Sequence, residues 1–580
     1  MGRALAALVA VGLLVGLWFA LDTPDTQRHT PRNLASRKNL PVVDAPPPAP
    51  QPGPTAEVPL APKSDMPPPA PTIQPGKPLT VRLSEPPQPW YGRPQTDEND
   101  SHYADLVAQL SGGRAVYDAS LGKAARELVY QTTEVGDVVP SDVREFVVAS
   151  AGGIAADTTF QQVRTSSEGP EPLKQAIEAV VESRGDARVP VRVGVGEVYR
   201  HGLAMPRHIG VVGTRLGVDL QPMAVRVEPG TQIVLSGRLV ADWKHLEALV
   251  LRADGSEAEL NVTQVGNQIS LQVPAGTARG ALDVDLDGEG PTGPGKLVQL
   301  RFWVGRDPPQ SLTTRAPADE TRLKNADDAE AYVLQLVNQD RASNGLPPLG
   351  WDKRLAAIAR LHSQDMRDHQ YFGHLSPTSG LPQDRLKRAG YRNSAHAENV
   401  AHNSTLSEAQ AGLMHSLGHR RNLLSRDVPL LGVGVAMQGE GNKRRFWVTQ
   451  LFARPALDWT PAQIEARVAT LLQTQRTGKG FGLVPVDGPL SEVARIGAEQ
   501  ATTGALDGVS RRALDLAKER DLLQGRLHAY VVLTGDLEKI TFPDELLGDN
   551  AQAVGIGAAS EQGDGARLAV VLLTRERPAL

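Results

Sequence analysis

Histidines are concentrated in one part of this 580-residue chain. Seven of the 13 histidines lie between positions 362 and 419, and Glu398 lies among them in the segment AHAENVAHN. Neutral imidazoles and a carboxylate can hold a divalent cation, or they can exchange protons with a substrate. His415 and His419 are four residues apart, but Ser416 stands where the helical metalloprotease motif has its glutamate, so that motif is absent.

The composition excludes several classes of protein. The formal net charge is −5, so no general basic excess favours a nucleic-acid partner. The chain has no cysteine, which rules out disulfides, thiolate zinc sites, iron–sulfur clusters and a cysteine nucleophile. At typical domain size, the length allows about three or four domains.

The N-terminus predicts a membrane anchor or an export signal. Residues 4–21 form an uncharged, apolar run that is just long enough to cross a bilayer as a helix. The bulky Trp18 and Phe19 crowd Ala20, where a signal-peptide cleavage site needs small residues. We therefore predict that residues 1–21 act as an uncleaved anchor, with a cleaved signal segment as the alternative.

A proline-rich stretch follows the apolar run. Residues 41–80 hold 15 of the 45 prolines, in runs such as APPPAPQPGP. Such a stretch cannot bury a core and favours an extended, solvated chain. We predict that residues 22–100 form a disordered linker that lifts the following domains from a membrane.

Two later parts of the chain are similar to each other. The segment VLQLVNQDRASNGLPPLGWDKRLAAIAR aligns without gaps with VATLLQTQRTGKGFGLVPVDGPLSEVAR, so that Arg341 meets Arg476 and Asp352 meets Asp487. Further on, LLGVGVA matches AVGIGAA. The alignment predicts that residues 456–580 are a diverged copy of an earlier domain.

The earlier domain spans residues 322–455, and a fainter third copy is predicted at residues 101–215. That copy contains VYDASLGKAAREL and VRVGVGEV, which have the same helix and strand patterns. Residues 216–306 differ, because short segments of alternating apolar residues recur between Gly, Asp and Asn turns. This pattern predicts a small, Ig-like, all-β sandwich domain.

Within residues 322–455 the predicted order is helix, helix, loop, helix and then strands. Helical periodicity covers residues 329–341 and 353–368, and LLGVGVAM and RFWVTQLFA alternate as strands. YFGH and AENVA are expected in loops or at helix ends. Helices followed by strands in this order predict a mixed α/β domain.

The motifs of this domain resemble a known family. The set VNQDRASNGLPPLGWDKRLAAIARLHSQDM, YFGH, AENVA, SLGHRRNLL, LGVGVA and FWVTQLFA resembles the bacterial, cysteine-free branch of the CAP (SCP-like) superfamily. The resemblance covers residues 322–455. It implies a three-layer α/β/α CAP sandwich and a secreted or cell-surface protein, with the domains outside the membrane.

The resemblance also implies a cleft of two histidines and acidic residues that can hold Zn²⁺ or another divalent cation. By motif, the cleft residues are His374 of YFGH, Glu398 of AENVA and His419 of SLGHRRN. These three are the predicted ligand-binding residues and metal ligands, and a structural hydrogen-bond network is the alternative. No motif identifies the family's second acid, for which Glu408 is the nearest candidate.

The diverged copies lack these imidazoles. In residues 456–580, Tyr530 takes the position of Glu398, and Asp549 of LLGDN is predicted near the position of His419. The copy at residues 101–215 keeps the apolar helix positions but not the histidines. Because the copies keep the turns and lose the imidazoles, the histidines are predicted to serve function rather than folding.

Three functions remain open from the sequence. The first is an exported, membrane-anchored protein whose cleft binds an envelope, lipid or wall ligand. The second is a cation-dependent hydrolase of envelope peptide or wall polymer, for which no separate general base is identifiable. The third is a purely structural stalk protein. Two degenerate copies favour the first, because an enzyme gains little from inactive duplicates.

Overall fold

The computed structural model describes most of the chain beyond the proline-rich stretch: residue 67 and residues 69–93, 99–135, 139–156, 158–183, 190–290, 293–441, 444–456, 459–502, 508–522, 526–560 and 568–576. The predicted anchor at residues 1–21 lies outside this part. No helix in the described part combines the length and hydrophobicity that a bilayer crossing requires. The chain divides into two compact units, one of residues 61–391 and 396–453 and the other containing residues 392–395 and 454–580.

The predicted linker ends earlier than residue 100. Strand β1 (Pro78–Arg82) pairs antiparallel with Ser311–Arg315, and strand β2 (Trp90–Tyr91) pairs with Met223–Ala224. Val81 of β1 is fully buried against the following domain. The segment LTVRL alternates with period two once the clustered prolines end, so it can join a sheet.

The N-terminal domain, residues 99–215, has a four-stranded sheet with helices on both faces. Its helices are α1 (Asp100–Leu110), α2 (Ala119–Val135), α3 (Ser141–Ser150) and α4 (Glu171–Ser183). Its strands are β3 (Ala115–Tyr117), β4 (Thr159–Thr165), β5 (Val191–Tyr199) and β6 (Arg207–Arg215), in the order β3-β5-β6-β4. Val211 packs with α1 and α4, whereas Val212 packs with α2 and α3, because successive side chains point to opposite faces.

The sandwich domain, residues 216–306, consists of two sheets packed around one apolar core. The strands, including one in the segment that follows, are β7 (Val218–Leu220), β8 (Met223–Ala224), β9 (Arg226–Val227), β10 (Gln232–Leu239), β11 (Lys244–Leu251), β12 (Glu257–Asn261), β13 (Thr263–Val265), β14 (Gln268–Pro274), β15 (Gly280–Gly290), β16 (Gly293–Val304) and β17 (Ser311–Arg315). The sheet orders are β13-β14-β10-β7 and β12-β11-β15-β16-β9. Phe302 is fully buried at the centre of this core.

The central domain, residues 322–455, contains the predicted cleft residues. Its helices are α5 (Ala326–Ser343), α6 (Lys353–Asp368), α7 (Pro382–Arg388), α8 (Leu406–His415) and α9 (Leu417–Leu424). Its strands are β18 (Gly350–Trp351), β19 (Asn393–Asn403), β20 (Leu430–Gln438) and β21 (Arg445–Pro455), in the order β18-β20-β21-β19. The predicted helices and the strands of LLGVGVAM and RFWVTQLFA are confirmed. AENVA lies in β19 rather than in a loop, and its consecutive buried residues gave no alternating signal.

The C-terminal domain, residues 459–576, has helices on both faces of a three-stranded sheet. Its helices are α10 (Pro461–Gly478), α11 (Gly488–Ala501) and α12 (Val509–Glu519), with a short 3₁₀ helix at Leu537–Lys539. Its strands are β22 (Arg526–Thr534), β23 (Ala551–Ser560) and β24 (Leu568–Glu576), in the order β22-β24-β23. Val570 packs with α10, whereas Val571 packs with α11 and α12.

Matched residues make the same contacts in the central and C-terminal domains. Arg341 donates hydrogen bonds to the backbone carbonyls of Pro347, Leu423 and Ser425. Arg476 donates to the carbonyls at the corresponding positions, those of Gly482, Leu546 and Gly548. The guanidinium therefore ties the end of the first helix to a distant loop in both domains.

These contacts correct one predicted correspondence. They align LLGDN (546–550) with LLSRD (423–427), because the same two carbonyls of each segment accept from the matched arginine. Asp549 therefore corresponds to Arg426 and not to His419. The shared Leu-Gly pair suggested an alignment of LLGDN with SLGHRRN, which was wrong. The hydrogen bonds of the matched arginines give the correct alignment.

Two further features recur in all three α/β domains. The aspartate before the second helix caps it, since Asp118, Asp352 and Asp487 each accept from the backbone N–H three residues later. The Gly-x-Gly strands β5, β20 and β23 lie directly against α2, α6 and α11, where a Cβ on either glycine would overlap helix backbone. The aspartate and Gly-x-Gly patterns that the three domains share therefore correspond to the same packing of a helix on a sheet.

Candidate functional site

Glu398 on β19 is a buried, ionised carboxylate. Its side chain is 2% exposed, its Oε2 accepts a hydrogen bond from Nη2 of Arg385 at 2.5 Å, and its Oε1 lies 3.0 Å from Nδ1 of His374. Burial raises the pKa of Glu398, but the hydrogen bond from His374 and the positive charge of Arg385 outweigh burial and lower the pKa to about 2. Glu398 is therefore an anion at neutral pH.

This carboxylate orients His374, which lies in the loop between α6 and α7. An ionised carboxylate only accepts hydrogen bonds, so Nδ1 of His374 carries the proton and Nε2 of the neutral ring is an acceptor or ligand atom. The loop itself is fixed at two points. Arg385 donates to the carbonyls of His374 and Gly380 at 3.1 and 2.6 Å, and the Ser376 hydroxyl donates to Asp365 at 2.6 Å.

His419 on α9 lies beside His374. The two imidazole rings are stacked, with centroids 6.4 Å apart and an interplanar angle of 27°. Nδ1 of His419 is 2.8 Å from Oγ of Ser416, and its backbone carbonyl accepts from the Asn399 side chain at 3.2 Å. The structure therefore brings together the three predicted cleft residues from a loop, a strand and a helix.

The sandwich domain holds the helix that carries His419. The backbone N–H of Leu417, at the start of α9, donates to Oδ2 of Asp285 at 2.8 Å, and Asp285 is fully buried. Arg421 on the same helix forms ion pairs of 3.2 Å each with two sandwich-domain glutamates, Glu247 and Glu259. A neighbouring domain thus helps to set the position of His419, the second histidine of the predicted cleft.

Glu408, the candidate for a second cleft acid, does not reach the cleft. It is buried on α8, and its carboxylate accepts a hydrogen bond from the backbone N–H of Ser141 at 2.5 Å. Ser141 begins α3 of the N-terminal domain, where an acceptor compensates an unsatisfied helix N–H. The charged group that contacts Glu398 is a cation, Arg385, and not a second acid.

The three predicted residues do not form a three-ligand metal site in this arrangement. Both oxygens of Glu398 are engaged by Arg385 and His374. Across the described part of the chain, no three His, Cys, Asp or Glu side chains are placed to hold a metal ion. A cation in this cleft would have His374 and His419 as its protein ligands, with Glu398 as the acceptor that orients His374. Zinc sites use three or four protein ligands, so this pair alone fits a weaker site.

Sequence reasoning missed Arg385 and Asn399. Arg385 stands in PQDRLKRAG among other basic residues, a pattern typical of a solvated helix face, yet only 5% of it is exposed. Asn399 is fully buried and links the His419 carbonyl to the side chain of Gln450, whose Oε1 accepts at 3.2 Å. Its place beside Glu398 in AENVA was the one available signal.

His362 on α6 forms the buried wall behind the pair. Its Nε2 donates to the carbonyl of Gly373 at 3.1 Å and lies 3.9 Å from Oε1 of Glu398. Burial lowers the pKa of His362 to about 4, against the opposing effect of Glu398. His362 is thus neutral at pH 7, and the fold favours that form over the protonated one.

Acid is expected to destabilise the central domain in two steps. Unfolding restores the usual pKa of His362, 6.5, so its stabilising contribution is complete above pH 6.5 and is lost as the pH falls towards 4. Glu398 stabilises the fold above its usual pKa of 4.5, and this contribution is lost as the pH falls towards 2. Each shift corresponds to roughly 3 kcal/mol. Hydrogen exchange of α6 from pH 7 to pH 4 measures the first step.

His362→Gln is expected to flatten that first step, because glutamine can donate to the same carbonyl without titrating. The matched control is His201→Gln, since His201 is exposed in a turn of the N-terminal domain. Equal pH dependence of α6 exchange in wild type and His362→Gln would contradict the assignment.

Comparisons with known proteins match the central domain. The family model described as "CAP: Cysteine-rich secretory protein family" matches residues 334–452. The resemblance to the CAP superfamily is therefore confirmed for this part of the chain.

The curated relatives match a similar share of the chain. "Uncharacterized protein YkwD" of Bacillus subtilis (strain 168) is 34% identical over 153 residues, which cover 25% of this chain and 58% of the relative. "Uncharacterized membrane protein YlbC" of the same organism is 38% identical over 125 residues, 21% of this chain and 36% of the relative. The chain therefore spans just over half of one relative and about a third of the other.

Among solved structures, an extracellular protein containing a SCP domain from Bacillus anthracis str. Ames is similar to this chain. It has 24% sequence identity and a TM-score of 0.21, and the match covers 38% of this chain and 78% of that one.

Proposed function

We propose that this protein is exported, remains attached to the membrane through residues 1–21, and binds an envelope or extracellular ligand in the cleft of its CAP domain. The match at residues 334–452 supports a CAP-type cleft. The apolar N-terminal run and the description of one relative as a membrane protein support attachment. The recurrent arginine, aspartate and Gly-x-Gly contacts support the view that the N-terminal and C-terminal domains are diverged copies without this cleft.

The hydrogen bond between Glu398 and His374 carries the proposal. It fixes one tautomer of His374, with Nε2 as acceptor, next to the stacked ring of His419. A ligand that donates to this nitrogen meets a group that is already oriented, so little ordering is needed on binding. Lipid headgroups and wall polymers both offer hydroxyl, amide or amine donors.

The same geometry gives less support to a hydrolase. A general base works best with a pKa near the working pH, and the pKa of Glu398 is about 2. Each oxygen of Glu398 also accepts a hydrogen bond already, from Arg385 and from His374, so a metal ion on this carboxylate would compete with these partners. If a divalent cation is bound by His374 and His419, it would supply Lewis acidity, and Glu398 would keep His374 in the correct tautomer.

Co-sedimentation of the full chain with purified peptidoglycan and flotation of residues 22–580 with phosphatidylglycerol–phosphatidylethanolamine vesicles test the proposal. Residues 1–21 are omitted from the flotation because the proposed anchor would hold any variant on the vesicles. We expect the wild type to bind at least one of the two probes. The His374→Ala/His419→Ala variant should bind that probe with about tenfold or more lower affinity. His201→Ala is the control, because it removes an exposed imidazole from another domain. If the His374→Ala/His419→Ala variant binds each probe as the wild type does, and its unfolding temperature is unchanged, the structural-stalk alternative is favoured.

A further inference from the structure

A cavity of about 300 Å³ lies where the N-terminal, sandwich and central domains meet. These three domains belong to one compact unit. Helix α3, strands β15 and β16 and the last residue of α8 contribute to its walls, together with the segment before β17. Ligand sites favour such junctions between domains, and this volume is at the lower end of their range. A cavity of about 150 Å³ already holds benzene, so this one has room for an aromatic ring with a short chain.

The walls combine aromatic rings with carboxylates. Tyr91, Phe146 and Trp303 line the cavity, together with aliphatic and proline side chains. Besides the phenol of Tyr91, the titratable groups on the walls are three carboxylates, one guanidinium and one imidazole, those of Asp142, Glu145, Asp283, Arg301 and His415. The fixed charge that faces the cavity is therefore negative.

Two of the three carboxylates are already satisfied by protein groups. Asp283 forms a two-point ion pair with Arg301, at 2.5 and 3.1 Å. Asp142 accepts from the hydroxyl of Thr314 and from the backbone N–H of Val143. A nearby cation, Lys296, is held 2.6 Å from Asp285, which makes it unavailable to the cavity.

Glu145 is the carboxylate that remains. No hydrogen bond or ion pair to its side chain is present among the described residues, and the residue is partly exposed. Burial raises the pKa of Glu145, against the opposing effects of His415 on the same cavity and of the neighbouring cations Lys296, Arg144 and Arg301. Nδ1 of His415, on the same cavity, is buried without a hydrogen-bond partner in the described part of the chain. Burying a polar group without a partner is unfavourable, so the unpaired nitrogen of His415 beside the cavity is a group that a ligand can satisfy.

We propose that this junction cavity binds a small aromatic amine, with the ammonium group on Glu145 and the ring against Tyr91, Phe146 and Trp303. An ammonium donates three hydrogen bonds, can donate to the Glu145 carboxylate, for which the described residues show no hydrogen-bond donor, and is attracted to the faces of aromatic rings. A hydrated metal ion would gain nothing from the aromatic walls. The site is separate from the His374 cleft, so either proposal can fail without the other.

Calorimetric titration of the full chain with phenethylamine, benzylamine and the neutral analogue 2-phenylethanol tests the site. We expect one-to-one binding of at least one amine, weaker binding of the alcohol, and an amine affinity about 30-fold or more lower in Glu145→Gln. Glu182→Gln is the matched control, because Glu182 is exposed on α4 of the same domain. We expect its amine affinity to equal that of the wild type.

Two results would overturn the proposal. The first is the absence of saturable binding by either amine to a folded wild-type chain. The second is equal amine affinity in Glu145→Gln and wild type, which would mean that the carboxylate is only a structural group. If Glu145→Gln proves unfolded, Glu145→Asp replaces it, since the shortened carboxylate should weaken amine binding and leave the alcohol unaffected.

Discussion

Replacing Arg385 with methionine is expected to lower the free energy of unfolding of the central domain by about 3–5 kcal/mol. The guanidinium is the cationic partner of Glu398, whose side chain is 2% exposed, and it also holds the carbonyls of His374 and Gly380. Methionine fills similar space but leaves the carboxylate buried without its charge partner. Hydrogen exchange of β19 and α6 measures the loss locally, because the intact multidomain chain need not unfold in one step.

Two further variants separate charge from packing in this prediction. Arg388→Met makes the same change at an exposed position of α7 and should alter stability by less than about 0.5 kcal/mol. Adding Glu398→Gln to Arg385→Met removes the unpaired charge and should recover part of the stability. The free energy of unfolding lost in the double variant is compared with the sum of the losses in Arg385→Met and Glu398→Gln alone. If the two are equal, the ion pair does not couple these residues.

Replacing Gly434 with alanine is expected to destabilise the central domain by more than about 3 kcal/mol. A Cβ at this position on β20 would overlap the backbone nitrogen of Arg360, so helix α6 would have to move away from the sheet. Backbone cannot relax by changing rotamer, and the whole helix–sheet interface loses contact. Urea unfolding, monitored through the hydrogen exchange of α6 and β20, measures the effect.

Gly412 gives a control of opposite sign. It lies inside α8 of the same domain, and a Cβ there would meet no atom within 4 Å. Gly412→Ala should therefore stabilise the domain by about 0.5–1 kcal/mol through helix propensity and reduced freedom of the unfolded chain. A similar loss in both glycine variants would contradict the close-approach argument and point to a general intolerance of the domain.

The candidate site was predictable only in part. Motif order identified His374, Glu398 and His419, and the structure places all three together. The partners that determine their chemistry were not predictable, because Arg385 and Glu408 look alike in sequence as charged residues on helices. The fold buries one against Glu398 and turns the other towards another domain.

The sequence by itself determined the features that depend on neighbours along the chain. The helical periodicity of α5 and α6 and the strand pattern of the Gly-x-Gly segments are local, and each forms as predicted in the described domains. Tertiary structure alone decided the ionisation of Glu398, the tautomer of His374, the capping of α9 by Asp285 and the cavity beside Glu145. The physical reason is that burial and charge pairing depend on groups that are separated along the chain, by 13 and 24 residues at Glu398 and by 132 residues at Asp285, and whose distances no local pattern encodes.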